Sequence, residues 1–343
     1  MLTLKNMDYT TLKPAMFYDA VGDGYVKCRL CAHSCKIPPD SFGACGVRIN
    51  AHGTLYALTF GCAISKAKDP IEKKPLFHFY PGSHSLSIAT PGCNFECSFC
   101  QNYSISQVQA QLPDIFIDPH NIVTSAKSNS CASISFTYTE PTIFYEYAYT
   151  IGIEAKKHGI KNVFVSNGYM SRETANHAKS FIDAINIDLK FFNNKTYKKL
   201  CKGSLEPVLN TIQTMYDNGI WVEITTLIIP KINDSREELN KIAEFIAKVS
   251  PDIPWHISRF HPDYKLKNAA CTPESSLSLA YEAGKSAGLN YIYSGNVPGH
   301  PLESTYCPGC RKMLIERFGY FIKQNTISNN KCPYCKYIIK GFY

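Results

Sequence analysis

No stretch of about 20 consecutive apolar residues, the length that spans a bilayer core, occurs in the 343-residue sequence. The opening residues, Met1-Leu2-Thr3-Leu4-Lys5-Asn6, contain no apolar run of the kind a secretory signal needs. These absences argue against a helical membrane protein and predict a soluble, cytoplasmic one. Without a secretory signal, the fifteen cysteines predict metal binding rather than disulfides. A long basic stripe is also missing. The net charge is +8, and residues 301–343 hold seven Lys or Arg against two Glu. Such charge is usually a solvated surface, so no nucleic-acid partner is expected. A metal-binding module that touches RNA through this tail is the non-enzymatic alternative.

The cysteines fall into three groups. Cys93, Cys97 and Cys100 form a compact C-x3-C-x2-C loop after an apolar run, Ser85 to Thr90. Short loops of this kind gather deprotonated sulfur ligands. An iron–sulfur cube is usually held by four cysteines. Three leave one iron open for substrate or cofactor. Cys28, Cys31, Cys35 and Cys45 read C-x2-C-x3-C-x9-C. Their spacing suits zinc or a second iron–sulfur cluster and does not choose between them. His33, inside that run, is expected at the surface. Cys307, Cys310, Cys332 and Cys335 form two CxxC knuckles 21 residues apart. These predict a zinc ribbon, with rubredoxin-like iron as its rival. Cys62, Cys131, Cys201 and Cys271 stand apart and are expected to be small buried hydrophobes.

From Ser85 to Tyr293 apolar strand-like runs alternate with helix-like stretches. Predicted strands lie at 85–90, 131–137, 162–166, 183–189, 221–229, 255–258 and 291–293. Amphipathic stretches include Ile143 to His158 and Ser235 to Val249. This rhythm predicts an α/β fold with parallel strands under covering helices. In Asn186-Ile187-Asp188-Leu189-Lys190, period two puts Asn186, Asp188 and Lys190 on one face. Three polar groups facing a cavity are costly unless they serve each other or a ligand. Asp69 to Phe79 carries two prolines, which exclude a regular helix across it. It is expected as a loop or extended lead-in.

The loop at Cys93–Cys100 resembles the signature of radical S-adenosylmethionine (SAM) enzymes. More narrowly, the chain resembles the radical SAM enzyme of the AmmeMemoRadiSam group, related to the activases of glycyl-radical enzymes. Cys28 to Cys35, Asp69 to Leu76, Cys100-Gln101-Asn102 and Thr305 to Cys310 carry that narrower likeness. It implies a partial (β/α)6 barrel with a Cys-rich N-terminal segment and a C-terminal zinc-ribbon-like module. The expected divisions are 1–80, 81–300 and 301–343. It further implies a 4Fe–4S cluster on Cys93, Cys97 and Cys100, with SAM bound to the open iron. Glu140 stands where the family's Gly-Gly-Glu binds the SAM amino group, although Tyr138-Thr139 replace both glycines. Ser166 and Asn167 match a ribose contact. Asp188, Lys190 and His256 match SAM contacts of the activases, and Phe99 matches the aromatic beside adenine. Thr225 stands where the activases carry an arginine. The implied reaction is reductive cleavage of SAM to a 5′-deoxyadenosyl radical, which abstracts hydrogen from a substrate. The implied electron donor is a flavodoxin or ferredoxin. The substrate is the backbone glycine of a partner protein, or a small metabolite handled with Memo-like and AMMECR-type partners.

Overall fold

The structure is a computed structural model that describes residues 12–108 and 116–343. Two small antiparallel sheets open the chain. One joins β1 (Lys13–Pro14), β7 (Thr54–Ala57), β6 (Arg48–Ala51) and β5 (Ser41–Phe42) in that order. The other joins β2 (Tyr18–Ala20), β3 (Val26–Cys28) and β4 (Lys36–Ile37). Val26, Ile37, Ile49 and Leu55 are buried, so these short strands share a core with the larger unit that follows.

An eight-stranded sheet dominates the molecule, and its strand order follows the chain. It begins with β8 (Ser65–Pro70) and β9 (His84–Ala89), which pair antiparallel. Then come β10 (Ser133–Phe136), β11 (Lys161–Ser166), β12 (Ala184–Asp188), β13 (Trp221–Ile228), β14 (Trp255–Arg259) and β15 (Ile292–Gly295). From β9 onward every neighbouring pair is parallel. Their C-terminal ends therefore share one edge of the sheet. Strand β8 was not expected as regular structure, because Asp69 to Phe79 reads as a lead-in. Its closing Pro70 fits an edge strand, where a missing N–H costs nothing. A short 3-10 turn, Ile71–Lys73, follows it.

After the short α1 (Tyr103–Ser106), helices α2 (Pro119–Ser128), α3 (Tyr145–Lys157), α4 (Arg172–Ala178), α5 (Asn194–Cys201), α6 (Leu205–Asp217), α7 (Arg236–Val249) and α8 (Glu274–Ser286) alternate with the strands. Helix α7 shows why. Ser235 caps it by accepting from the Glu238 N–H, in an S-x-x-E sequence suited to a capping box. Leu239, Ile242, Ala243 and Ile246, at helical spacing, form its buried face. The strands are covered on both faces, so SISF of β10 is buried throughout. No helix among the described residues is long and apolar enough to cross a membrane.

The tail forms a third small sheet of β16 (Thr305–Tyr306), β17 (Met313–Phe318) and β18 (Phe321–Asn325). Its Leu314, Ile315, Cys332 and Ile339 pack with Phe77, Tyr291 and Tyr293 of the main unit.

Candidate active site

The parallel sheet delivers its loops to one edge, and a cavity of about 500 Å3 opens there. Cys93, Cys97, Cys100 and Phe99, from the loop after β9, line it. So do Glu140 after β10, Asn167 after β11, Asp188 and Lys190 at the end of β12, and His256 of β14. Ser166 turns elsewhere: its hydroxyl donates to Glu140 Oε1 at 2.7 Å.

Glu140 is 3% exposed. Its Oε1 accepts from the Thr142 N–H (3.0 Å), the Thr142 hydroxyl and Ser166. Its Oε2 accepts from the Asn167 N–H at 2.7 Å. A carboxylate has about four acceptor positions, two per oxygen, so Oε2 retains capacity toward the cavity. Burial pushes this carboxyl above its ordinary pKa, against the donors that pull it down. Asn167 also donates to Asn94 Oδ1 at 2.7 Å, tying the end of β11 to the cysteine loop. Tyr138 holds a positive φ of 64°, a backbone region glycine enters freely. Its ring lies 4.4 Å from the Lys74 ammonium and its hydroxyl donates to Asp69, so the tyrosine is clamped in that conformation.

Lys190 Nζ lies 2.7 Å from Asp188 Oδ2 and 5.8 Å from the centre of the Phe99 ring. Burial alone would lower the lysine pKa, but Asp188, Cys97 and Cys201 around it hold it well above the ordinary value. Asp188, Thr225 and His256 stand in register across three adjacent strands. His256 Nε2 meets Glu223 Oε2 at 2.6 Å. Asn186, the third polar residue on its face, donates to the Pro75 carbonyl. Arg259 donates to the Thr272 carbonyl, and Tyr264 stacks on Tyr103, 4.5 Å between ring centres.

Several contributors had no clear mark in the sequence. Cys201, read as a small buried hydrophobe, is buried but sits beside the cysteine loop; its hydrogen bond favours the Cys97 thiolate and draws that pKa down. Cys62 and Cys131 are buried, whereas Cys271 is exposed. Glu223 accepts from the Phe77 and His78 N–H groups at 2.9 and 2.8 Å besides meeting His256. Period two on WVEITTLI puts it on the face of Thr225, which was the available signal. Arg317 of the tail reaches under the cavity, donating to the Phe77 carbonyl at 2.8 Å and lying 3.9 Å from Glu72 Oε1. His33 is not a plain surface residue: Nε2 meets the Asn94 carbonyl at 2.6 Å, because its loop packs on the cysteine loop.

The donor set suits a cluster and a polar ligand together. Among the described residues, one set of metal-binding side chains brings its ligand atoms within 4.8 Å of one another: Cys307, Cys310, Cys332 and Cys335. Cys93, Cys97 and Cys100 together line the cavity at the sheet edge. Thr225 Oγ1 and Glu72 Oε2 are buried without a partner, and both residues line the cavity. Orphaned polar atoms of this kind call for a ligand.

Comparison with known proteins supplies the relatives. The profile of the Radical SAM superfamily matches residues 87–246. An uncharacterised protein of Methanocaldococcus jannaschii is 43% identical over 94% of this chain and 98% of its own length. A protein of the same archaeon, provisionally named as a glycyl-radical enzyme activating enzyme, is 26% identical over 58% of this chain and 76% of its own length. The crystal structure of Streptococcus suis SuiB bound to S-adenosylmethionine overlays with a TM-score of 0.50 at 14% identity. It covers 69% of this chain and 56% of that one, and shows a shared fold.

Proposed function

Because the chain belongs to the radical SAM superfamily and is related to glycyl-radical enzyme activases, we propose that it binds a 4Fe–4S cluster through Cys93, Cys97 and Cys100 and SAM beside it. One observation carries this reading: three cysteines and the buried Glu140 carboxylate line a single cavity of about 500 Å3. The chemistry that cluster and SAM supply when bound is one-electron cleavage of the sulfonium, giving methionine and a 5′-deoxyadenosyl radical that takes hydrogen from a substrate.

The protein's part is orientation. Glu140 accepts from the SAM ammonium with the free capacity of Oε2, a charge-assisted contact. Lys190, a pure donor, holds a carboxylate or hydroxyl of SAM and is itself steadied by Asp188. Asn167 meets the ribose with Ser166 as the prop of Glu140, Phe99 lies against adenine, and His256 is fixed by Glu223. The eight-stranded sheet is read as the partial, open (β/α)6 barrel, with 1–80 as head, 81–300 as core and 301–343 as a zinc-holding tail. A cytoplasmic flavodoxin or ferredoxin is the proposed electron donor.

The proposed reaction is activase-like, on the glycine of a partner protein, and is supported by the relatives named for that activity. One observation favours a small metabolite with Memo-like and AMMECR-type partners instead. The turn Gly319-Tyr320 of the tail lines the same cavity and narrows the room for a polypeptide loop. Anaerobic reconstitution, dithionite and SAM test the common step. Cys97→Ala is expected to abolish 5′-deoxyadenosine, and full cleavage by that variant would refute the cluster assignment. Tracing deuterium between 5′-deoxyadenosine and added substrates then separates protein from metabolite.

A further inference from the structure

The turn that delivers Glu140 to the cavity is strained. The Thr139 N–H donates to the Thr137 carbonyl at 2.8 Å, and Tyr138 between them holds a φ of 64°. A bond of this span around a positive φ is the form of γ-turn that is rare and strained. It suits glycine; a bulky aromatic residue stays there only if its surroundings hold it. The peptide joining Tyr138 to Thr139 is planar and trans, so its N–H and C=O point in opposite directions. With the N–H turned back to Thr137, the Tyr138 carbonyl faces away and accepts from Asn102 Nδ2 at 2.8 Å. The Thr139 hydroxyl donates to the Thr90 carbonyl at 2.7 Å. Thr90 precedes the cysteine loop and Asn102 follows it. The turn therefore pins both ends of the loop that carries Cys93, Cys97 and Cys100, immediately before Glu140.

We propose that Tyr138, anchored by Asp69, is a positioning residue: it holds this strained turn so that the Glu140 carboxylate and the cysteine loop keep one fixed relation. The role rests on the functional reading above, in which SAM is held between those two groups. The anchor is rigid. Asp69 is 5% exposed and lies in β8, in register with Ser85 of β9. It accepts from Lys73 (2.8 Å), Lys74 (2.8 Å), Ser87 (2.7 Å) and the Tyr138 hydroxyl. Four donors are about as many as one carboxylate holds. The Tyr138 hydroxyl thus bonds to a fixed charge, the stronger kind of hydrogen bond. The ring is held a second time by the Lys74 ammonium, 4.4 Å from its centre.

Without that clamp, an aromatic residue relaxes toward negative φ. The rotation carries the Thr139 N–H off Thr137 and the Tyr138 carbonyl off Asn102, which frees one end of the cysteine loop. Glu140 keeps its own bonds to Thr142, Ser166 and Asn167. What changes is its place relative to the cysteines, not its burial, and the three thiols remain. Glycine meets the same backbone demand by another route, because it enters positive φ freely and needs no clamp. The two routes make the role testable. A side chain that matters only for packing is replaced worse by glycine than by phenylalanine. A side chain that matters because it holds the turn is replaced better by glycine.

Variants of the whole protein, reconstituted anaerobically, decide it. Iron content, melting temperature, SAM affinity by calorimetry, and kcat and KM for dithionite-driven SAM cleavage are read on each. Tyr138→Phe deletes one oxygen and the bond to Asp69. Its SAM affinity is expected to fall about 10-fold, with KM raised and iron unchanged. Tyr138→Gly should melt below Tyr138→Phe, yet recover SAM affinity to within about 3-fold of wild type. Tyr138→Asn, whose short side chain also tolerates this backbone region, should bind SAM more tightly than Tyr138→Phe and replaces the glycine variant if that one does not fold. Wild-type affinity in Tyr138→Phe would overturn the role. So would affinities that follow the melting temperatures, with glycine and asparagine weaker than phenylalanine. Both outcomes leave SAM bound to the wild type and the functional reading intact. A wild type that holds iron and binds no SAM would overturn that reading and this role with it.

Discussion

Replacing Glu140 by glutamine keeps the shape of the side chain and exchanges one acceptor oxygen for a donor. Three donors converge on Oε1, from Thr142 N–H, Thr142 hydroxyl and Ser166 hydroxyl, so the amide oxygen stays there. The new NH2 then occupies the position of Oε2. It faces the Asn167 N–H, formerly 2.7 Å from the carboxylate, and it cannot accept from an ammonium group. Losing a hydrogen bond to a charged group costs roughly 1.5–3 kcal/mol, about a 10- to 150-fold loss of SAM affinity. The opposed N–H groups add a stability cost of about 1–3 kcal/mol. The assay is anaerobic calorimetry with SAM, beside an iron determination and a melting curve. Iron should stay at the wild-type level, the melting temperature should fall modestly, and SAM should bind weakly. Burial raises the Glu140 pKa, so SAM affinity of the wild type should begin to fall, on acidification, at a higher pH than an ordinary carboxylate would cause. Wild-type affinity in Glu140→Gln would refute the placement of the ammonium.

Lys190→Met should likewise weaken SAM binding about 10- to 150-fold at unchanged iron content; lowered stability with unchanged affinity would show that Lys190 serves only its 2.7 Å pair with Asp188. Removing metal from Cys307, Cys310, Cys332 and Cys335 with a chelator should lower the melting temperature of the full chain, because metal binding in such a small site is folding free energy; an unchanged melt after zinc is shown to leave would contradict it. His78 is fully buried between Tyr293 and the Lys340 carbonyl, and burial pulls its pKa down to about 4, against Glu223. An unfolded histidine titrates near 6.5, so the unfolded chain protonates first as pH falls. The His78 contribution is therefore intact above about pH 6.5 and is lost toward pH 4, by up to about 3 kcal/mol. Urea melts at pH 7 and pH 5 should show a larger loss for wild type than for His78→Gln, and equal losses would count against it.

The local signals in this chain were strong because each depends on residues close in sequence. C-x3-C-x2-C puts three thiols on one loop wherever that loop sits. Period two on Asn186, Asp188 and Lys190 requires only that the segment be a strand, and Ser235 with Glu238 marks the start of α7 by local hydrogen bonding. Strand–helix alternation announced parallel strands, and the sheet runs parallel from β9 to β15. Strand β8 escaped because it borrows its partner from β9 and ends in proline, so nothing within it signals pairing.

What the tertiary structure decided are the meetings between distant segments. Cys201 reaches Cys97 across a hundred residues, Glu223 receives the N–H groups of Phe77 and His78, and Arg317 of the tail closes on Phe77. Local sequence determines which groups a short loop or strand can offer and on which side. Which groups share a cavity, and how far apart they stand, is set by packing of the sheet, helices and tail. That packing follows from apolar burial summed over the whole chain, which no short window of sequence contains.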